Sequence, residues 1–118
     1  MESADESFEK LEVWRRSHGL SIEVYRLLAD CCDWGFKDQI TRSANSISDN
    51  IAEGAERTGK AEFKQFLGYA KGSAGETRSQ MLRAIALSYV ASDTGLVLVA
   101  ELREISSMIH GLIKSLDR

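Results

Sequence analysis

The stretch Gln39-Ile40-Thr41-Arg42-Ser43-Ala44-Asn45-Ser46-Ile47-Ser48-Asp49-Asn50-Ile51-Ala52-Glu53-Gly54 carries one narrow apolar stripe through small and polar residues. With Phe36 ahead of it, Ile40, Ala44, Ile47 and Ile51 follow at spacings of four, four, three and four, the period of one helix face. Serine and asparagine are weak helix formers, so such a helix stands only when its stripe is buried against neighbours. The stretch predicts a helix over about 36–53 within a helical assembly, with Gly54 as its C-terminal cap.

The flanking sequence supplies the neighbours. Residues 8–31 place Leu11, Trp14, His18, Tyr25 and Leu28 near one helix face, widened by Val13, Leu20, Val24 and Leu27. Residues 59–91 form the longest periodic segment, with Phe63, Phe66, Leu67, Ala70, Ala74, Thr77, Met81, Ala84, Ile85 and Ser88 on one face. At 1.5 Å per residue it would span roughly 45–50 Å. Residues 95–116 carry Leu98, Leu102, Ile105, Ile109, Leu112 and Leu116, with Asp93 or Thr94 as the expected N-cap. Four helices with short connections predict an all-α fold, an antiparallel up-down-up-down four-helix bundle. Residues 1–7 read as a polar acidic leader and 8–118 as a single domain.

Composition narrows the class. At 118 residues the chain fits one domain. Its 43% hydrophobic and 28% charged residues suit a globular protein rather than a disordered one. Proline is absent, as long uninterrupted helices require. No apolar run is long enough to cross a bilayer, and the start Met1-Glu2-Ser3-Ala4-Asp5-Glu6 is not a secretory signal, so a cytoplasmic protein is expected. The adjacent Cys31 and Cys32 match neither a redox pair nor a metal spacing and read as reduced thiols. The net charge of -3 hides a split: residues 1–12 hold five acids against Lys10, and the remainder holds 13 acids and 14 bases.

No catalytic constellation emerges. A carboxylate-bridged di-iron bundle needs Glu-x-x-His on two helices, but Arg15 and Ser107 stand three residues before His18 and His110. Zincin, P-loop and nucleophile-elbow motifs are missing. Asp49 and Glu53 sit one turn apart and read as a solvated or ion-paired couple, and His18 as a packed or capped histidine. The expectation is a protein that is not an enzyme and needs no cofactor or metal.

The third segment has two features of interest. Arg57, Lys60, Lys64, Lys71 and Arg78 fall within roughly 60° on a helical wheel. Over residues 57–83 six bases, including Arg83, face two acids, Glu62 and Glu76. Such a stripe can line phosphates, pair with acids of a neighbouring helix or subunit, or solvate a face. Gly68, Gly72 and Gly75 share another face with Ser79. Interior helix glycines cost about 1 kcal/mol each against alanine, and close approach of another helix would compensate.

Several motifs together point further. Phe8-Glu9-Lys10-Leu11-Glu12-Val13-Trp14-Arg15, the run Ser46-Ile47-Ser48-Asp49-Asn50-Ile51-Ala52-Glu53-Gly54, and Phe66-Leu67 followed by Ala70-Lys71-Gly72-Ser73 resemble the four helix bundle protein family, also called ribosomal-RNA intervening-sequence proteins. The resemblance covers about residues 8–116. Members usually carry a proline after the first helix and another before Asn-Ile-Ala-Glu-Gly, where this chain has Cys31-Cys32-Asp33 and Ser48. The resemblance implies an all-α bundle, often a ring-like homopentamer, without established enzymatic activity. A related branch, the accessory protein of diversity-generating retroelements, is basic and binds nucleic acid, and the acidic total here argues against carrying that role across.

Read physically, Ile47 and Ile51 are core residues. Asn50 and Glu53 beside them need partners, with Arg42 and the bases of the third helix as candidates, in a polar network to that helix or to another subunit. The first functional expectation is a non-enzymatic oligomeric scaffold with an unknown protein partner. The second is an RNA- or DNA-binding accessory protein acting through the basic stripe.

Overall fold

The computed structural model describes residues 7–117. The leader expected over 1–7 lies outside them, except for Ser7, whose hydroxyl accepts the Glu9 N–H and opens a 3-10 turn over Phe8–Lys10. Four helices follow: α1 (Glu12–Leu27), α2 (Trp34–Glu56), α3 (Lys60–Ala86) and α4 (Ser92–Ser115). No strand occurs among the described residues. Sequence neighbours pack side by side in alternating directions, in a body 46 × 26 × 22 Å. The last seam, between α1 and α4, is the sparsest of the four.

The core is an aliphatic column with every helix contributing. Ile40, Ala44, Ile47 and Ile51 are fully buried, facing Leu67, Ala70, Ala74, Met81 and Ala84 of α3 and Leu102, Ile105 and Ile109 of α4. On α1 the buried face differs from the expected one. Val13, Ser17, Leu20, Ser21 and Val24 point inward, while His18 and Tyr25 are exposed. The two serines tolerate burial because their hydroxyls donate back to the carbonyls of Val13 and His18. His18 stacks on Trp14, with ring centroids 4.8 Å apart.

The helix ends correct several boundaries. The first helix begins at Glu12 and ends at Leu27, because Leu11 is extended and Leu28 leaves helical geometry. The second runs past Gly54 to Glu56, so Gly54 is an interior residue rather than a cap. The start of α2 is set by the Asp33 carboxylate, which accepts the Phe36 N–H at 3.2 Å. The third helix stops at Ala86 rather than 91. There Ser88 takes φ 61° in the left-handed region, Tyr89 N–H donates to Ala84 O, and Ser88 N–H donates to Ile85 O. That is a Schellman ending with serine where glycine is usual. Finally, α4 starts at Ser92, with Ala91 at the N-cap and Asp93 already in its first turn.

Two glycines allow helices to approach closely. A β-carbon on Gly54 would lie 2.7 Å from Phe66 Cβ, and one on Gly95 would lie 2.6 Å from Ile85 Cγ1. The glycines expected to serve this purpose do not. At Gly68, Gly72 and Gly75 a β-carbon would meet nothing within 4 Å, because they lie on the side of α3 turned away from the core. Among the described residues, none of those three packs closely against another helix.

Candidate functional site

The α2–α3 seam carries a linked set of buried polar side chains in a mostly aliphatic core. Ser43 donates to Gln80 Oε1 at 2.6 Å, and Thr77 Oγ1 lies 2.9 Å from Ser43 Oγ. Further along, Ser73 Oγ meets Ser46 Oγ at 3.0 Å, and the Asn50 amide donates to both Ser46 Oγ and Ser46 O. A network does connect α2 to α3, but hydroxyls and Gln80 are its members, with Asn50 at its edge. Arg42 is outside it, pairing with Asp38 one turn earlier on the exposed face. Glu53 bonds Arg57 at 2.8 Å, closing the last turn of α2. Ile47 and Ile51 are buried as core residues, and Gly54 lies against Phe63 and Phe66.

The basic stripe splits in two. Arg57 is not on α3 at all but follows α2. It is held by Glu53 and Glu62 and stacks over Phe66, and its hydrogen bond to Glu53 raises its pKa. Lys60, which opens α3, also has a partner. Lys64 pairs with Asp117 beyond the end of α4. Lys71 and Arg78, in contrast, make no ion pair among the described residues. They line a surface depression of about 530 Å³ together with Arg103, Ser106, Ser107 and His110 of α4. The α4 members escape a sequence reading because helix packing, not spacing along the chain, sets them beside α3.

The α1–α4 seam holds an open groove of about 690 Å³. Its floor is Gly19, Leu20, Leu98 and Ala100, and its lip carries Ile22 and Val97, the latter 66% exposed. Charged residues rim it. Arg16 grips Glu101 through two hydrogen bonds, Nε to Oε2 at 2.8 Å and Nη2 to Oε1 at 2.6 Å. That bidentate bond, more than the burial opposing it, raises the Arg16 pKa. Arg26 pairs with Glu23 at 3.1 Å. Large apolar side chains lie exposed near the helix ends. Ile22 and Tyr25 of late α1, Trp34 of early α2, Leu82 and Leu87 around the end of α3, and Leu96 and Val97 of early α4 are all exposed. The antiparallel order brings these helix ends to the same end of the bundle.

That end is also latched. Tyr89 Oη donates to Asp33 Oδ2 at 2.6 Å, joining the α1–α2 connection to the α3–α4 connection. The bond lowers the Asp33 pKa and raises that of Tyr89. Cys31 and Cys32 are free thiols beside it. Among the described residues no group of His, Cys, Asp and Glu is placed to hold a metal ion, and no helix is long and apolar enough to cross a membrane. Asp49 is exposed and forms no ion pair among the described residues.

The fold matches a known one. The crystal structure of a protein of unknown function from the S23 ribosomal protein family of Bacteroides thetaiotaomicron VPI-5482 superposes with a TM-score of 0.81. The match covers 86% of this chain and 98% of that one at 24% identity, so it speaks for the fold alone. No protein of curated function matches the chain by sequence. The family model described as 23S rRNA-intervening sequence protein matches residues 9–111, a span that holds all of α1, α2 and α3 and most of α4. By that match the chain belongs to the 23S rRNA-intervening sequence protein family.

Proposed function

We propose that this chain is a non-enzymatic cytoplasmic scaffold that assembles with copies of itself, as a homopentamer, and offers a repeated surface to a partner. The observation that carries the reading is the open α1–α4 groove, whose apolar lining, with exposed Ile22 and Val97, has no cover among the described residues. A second copy suits it because the rim holds both signs of charge, Arg16 and Arg26 beside Glu23, Glu101 and Glu104, and so can meet a like mixture. Burial of the lip also adds apolar area to a small core. Light scattering on the full chain across a concentration range tests this. The expected mass is several-fold that of the 13.1 kDa chain, and Val97→Glu lowers it. A monomeric wild-type mass at every concentration would overturn the reading.

A second reading, nucleic-acid binding, is favoured by one observation of its own. Lys71, Arg78 and Arg103 gather around one depression without an ion pair among the described residues, whereas Arg16, Arg26, Arg42, Arg57 and Lys64 are each paired with an acid. Copies of that patch in an assembly would bind a long polyanion far better than one copy does. Titration of a mixed RNA and DNA pool at low and moderate salt tests it, with salt-sensitive binding expected and none at low salt overturning it.

A further inference from the structure

We infer that Lys71 and Arg78 of α3 and Arg103 and His110 of α4 form one site for consecutive phosphates of a polynucleotide backbone. The inference rests on the nucleic-acid reading above and deepens it by assigning the site.

The lining is the first argument. Every residue around the depression is basic or bears a hydroxyl: Lys71, Arg78, Arg103, His110, Ser106 and Ser107. Acids outnumber bases in the chain as a whole, 18 to 15, yet none lines this surface. Several cations elsewhere on the molecule are neutralised locally, as Arg16, Arg26, Arg42, Arg57 and Lys64 are. Like charges gathered without a counter-charge repel one another, and a bound anion removes that repulsion.

Geometry is the second argument. Lys71 and Arg78 are seven residues apart on α3, and Arg103 and His110 are seven apart on α4. Seven residues are two helical turns, about 10.5 Å. Because α3 and α4 run antiparallel, Lys71 comes level with His110 and Arg78 with Arg103. The result is a two-by-two array of donors along a seam, with the serine hydroxyls between the α4 pair. A length of about 10 Å spans two to three charges of a nucleic-acid strand. A depression open along its length admits an extended strand, and arginine forks suit phosphate oxygens. The lining has no aromatic ring on which a base could stack, so contact is with the backbone and recognition is independent of base sequence.

The test uses the full-length protein and a labelled single-stranded RNA 20-mer of mixed sequence, titrated from 50 to 200 mM salt. Arg78→Gln and Arg103→Gln are each expected to weaken binding about fivefold or more and to reduce the slope of log affinity against log salt by about 0.7. The control is Arg83→Gln, which removes the same charge from an exposed position of α3 outside the depression, and it is expected to leave affinity within about twofold. Circular dichroism and thermal melting establish that each variant is folded. Equal weakening by Arg83→Gln and Arg103→Gln would overturn the site in favour of bulk charge. Binding unchanged by either site variant would overturn the site while leaving the nucleic-acid reading standing. No binding by the wild type at 50 mM salt would overturn both. Inorganic polyphosphate of similar length is the competing source of consecutive phosphates, and if it alone binds, the polynucleotide assignment falls.

Discussion

Gly54 and Phe66 hold α2 and α3 in close approach: a β-carbon on Gly54 would stand 2.7 Å from Cβ of Phe66. Phe63 crowds the same point, with Cδ1 at 3.1 Å and its carbonyl oxygen at 3.4 Å. The Phe66 β-carbon is fixed to the backbone of α3, so it cannot move aside without the helix. Gly54→Ala is therefore expected to destabilise the fold by about 1–3 kcal/mol, as overpacking does. Denaturant unfolding measures the loss, and an unchanged midpoint would show that α3 yields freely there.

The three outward glycines carry the opposite expectation. Since a β-carbon on Gly68, Gly72 or Gly75 meets nothing within 4 Å, alanine there adds helix propensity without a clash. Each substitution should stabilise the monomer by about 0.4–1 kcal/mol, seen as a raised melting temperature in dilute protein. A fall in melting temperature that grows with protein concentration would show that another copy packs on this face.

Ser88 holds a left-handed backbone at φ 61° to end α3. A β-carbon makes that conformation unfavourable by about 1–2 kcal/mol, and glycine avoids the cost. Ser88→Gly is expected to raise thermal stability by a few degrees. Ser88→Val, β-branched, should lower it, and the pair of variants measured together checks the sign.

Ser43 stands between Thr77 and Gln80 in the buried seam. Ser43→Ala removes a partner from both while they stay buried, at an expected cost of about 1–3 kcal/mol. Replacing all three together by Ala, Val and Leu leaves no polar group stranded and should cost much less. Urea denaturation of the single and triple variants distinguishes a satisfied network from three independent hydroxyl and amide contacts.

The Asp33–Tyr89 latch predicts a pH window. The bond lowers the Asp33 pKa from its ordinary 3.8, so its contribution is complete above that value and is lost as pH falls through the folded-state pKa. It raises the Tyr89 pKa from 10.0, so that contribution is complete below 10.0 and is lost as pH rises through the folded-state value. Tyr89→Phe keeps the ring contact with Phe36 but loses the hydroxyl. The difference in melting temperature between wild type and Tyr89→Phe should be greatest between those limits and should shrink at both extremes. A difference constant from pH 2 to 11 would show that the bond does not form in solution.

The sequence alone determined the number of helices, their order and most of the core. Ile40, Ala44, Ile47 and Ile51, with Leu67, Ala70, Ala74 and Met81, follow the period of a helix face, and that period is a local property of the chain. Tertiary structure decided what local pattern leaves open. Whether a glycine caps, bends or packs depends on what lies beside it. Local pattern makes Gly54 a cap, but it is a contact with Phe63 and Phe66; it makes Gly68, Gly72 and Gly75 contacts, but among the described residues they face open space. Whether a cation is free depends on which acid a neighbouring helix or the chain terminus brings within reach. Asp117 reaches Lys64 across 53 positions, while no acid among the described residues pairs with Lys71 or Arg78. Arg103 and His110 join those two only because α4 returns antiparallel along α3. Helix periodicity is encoded within a few residues, but a site made of charges from two helices exists only once packing has set their register.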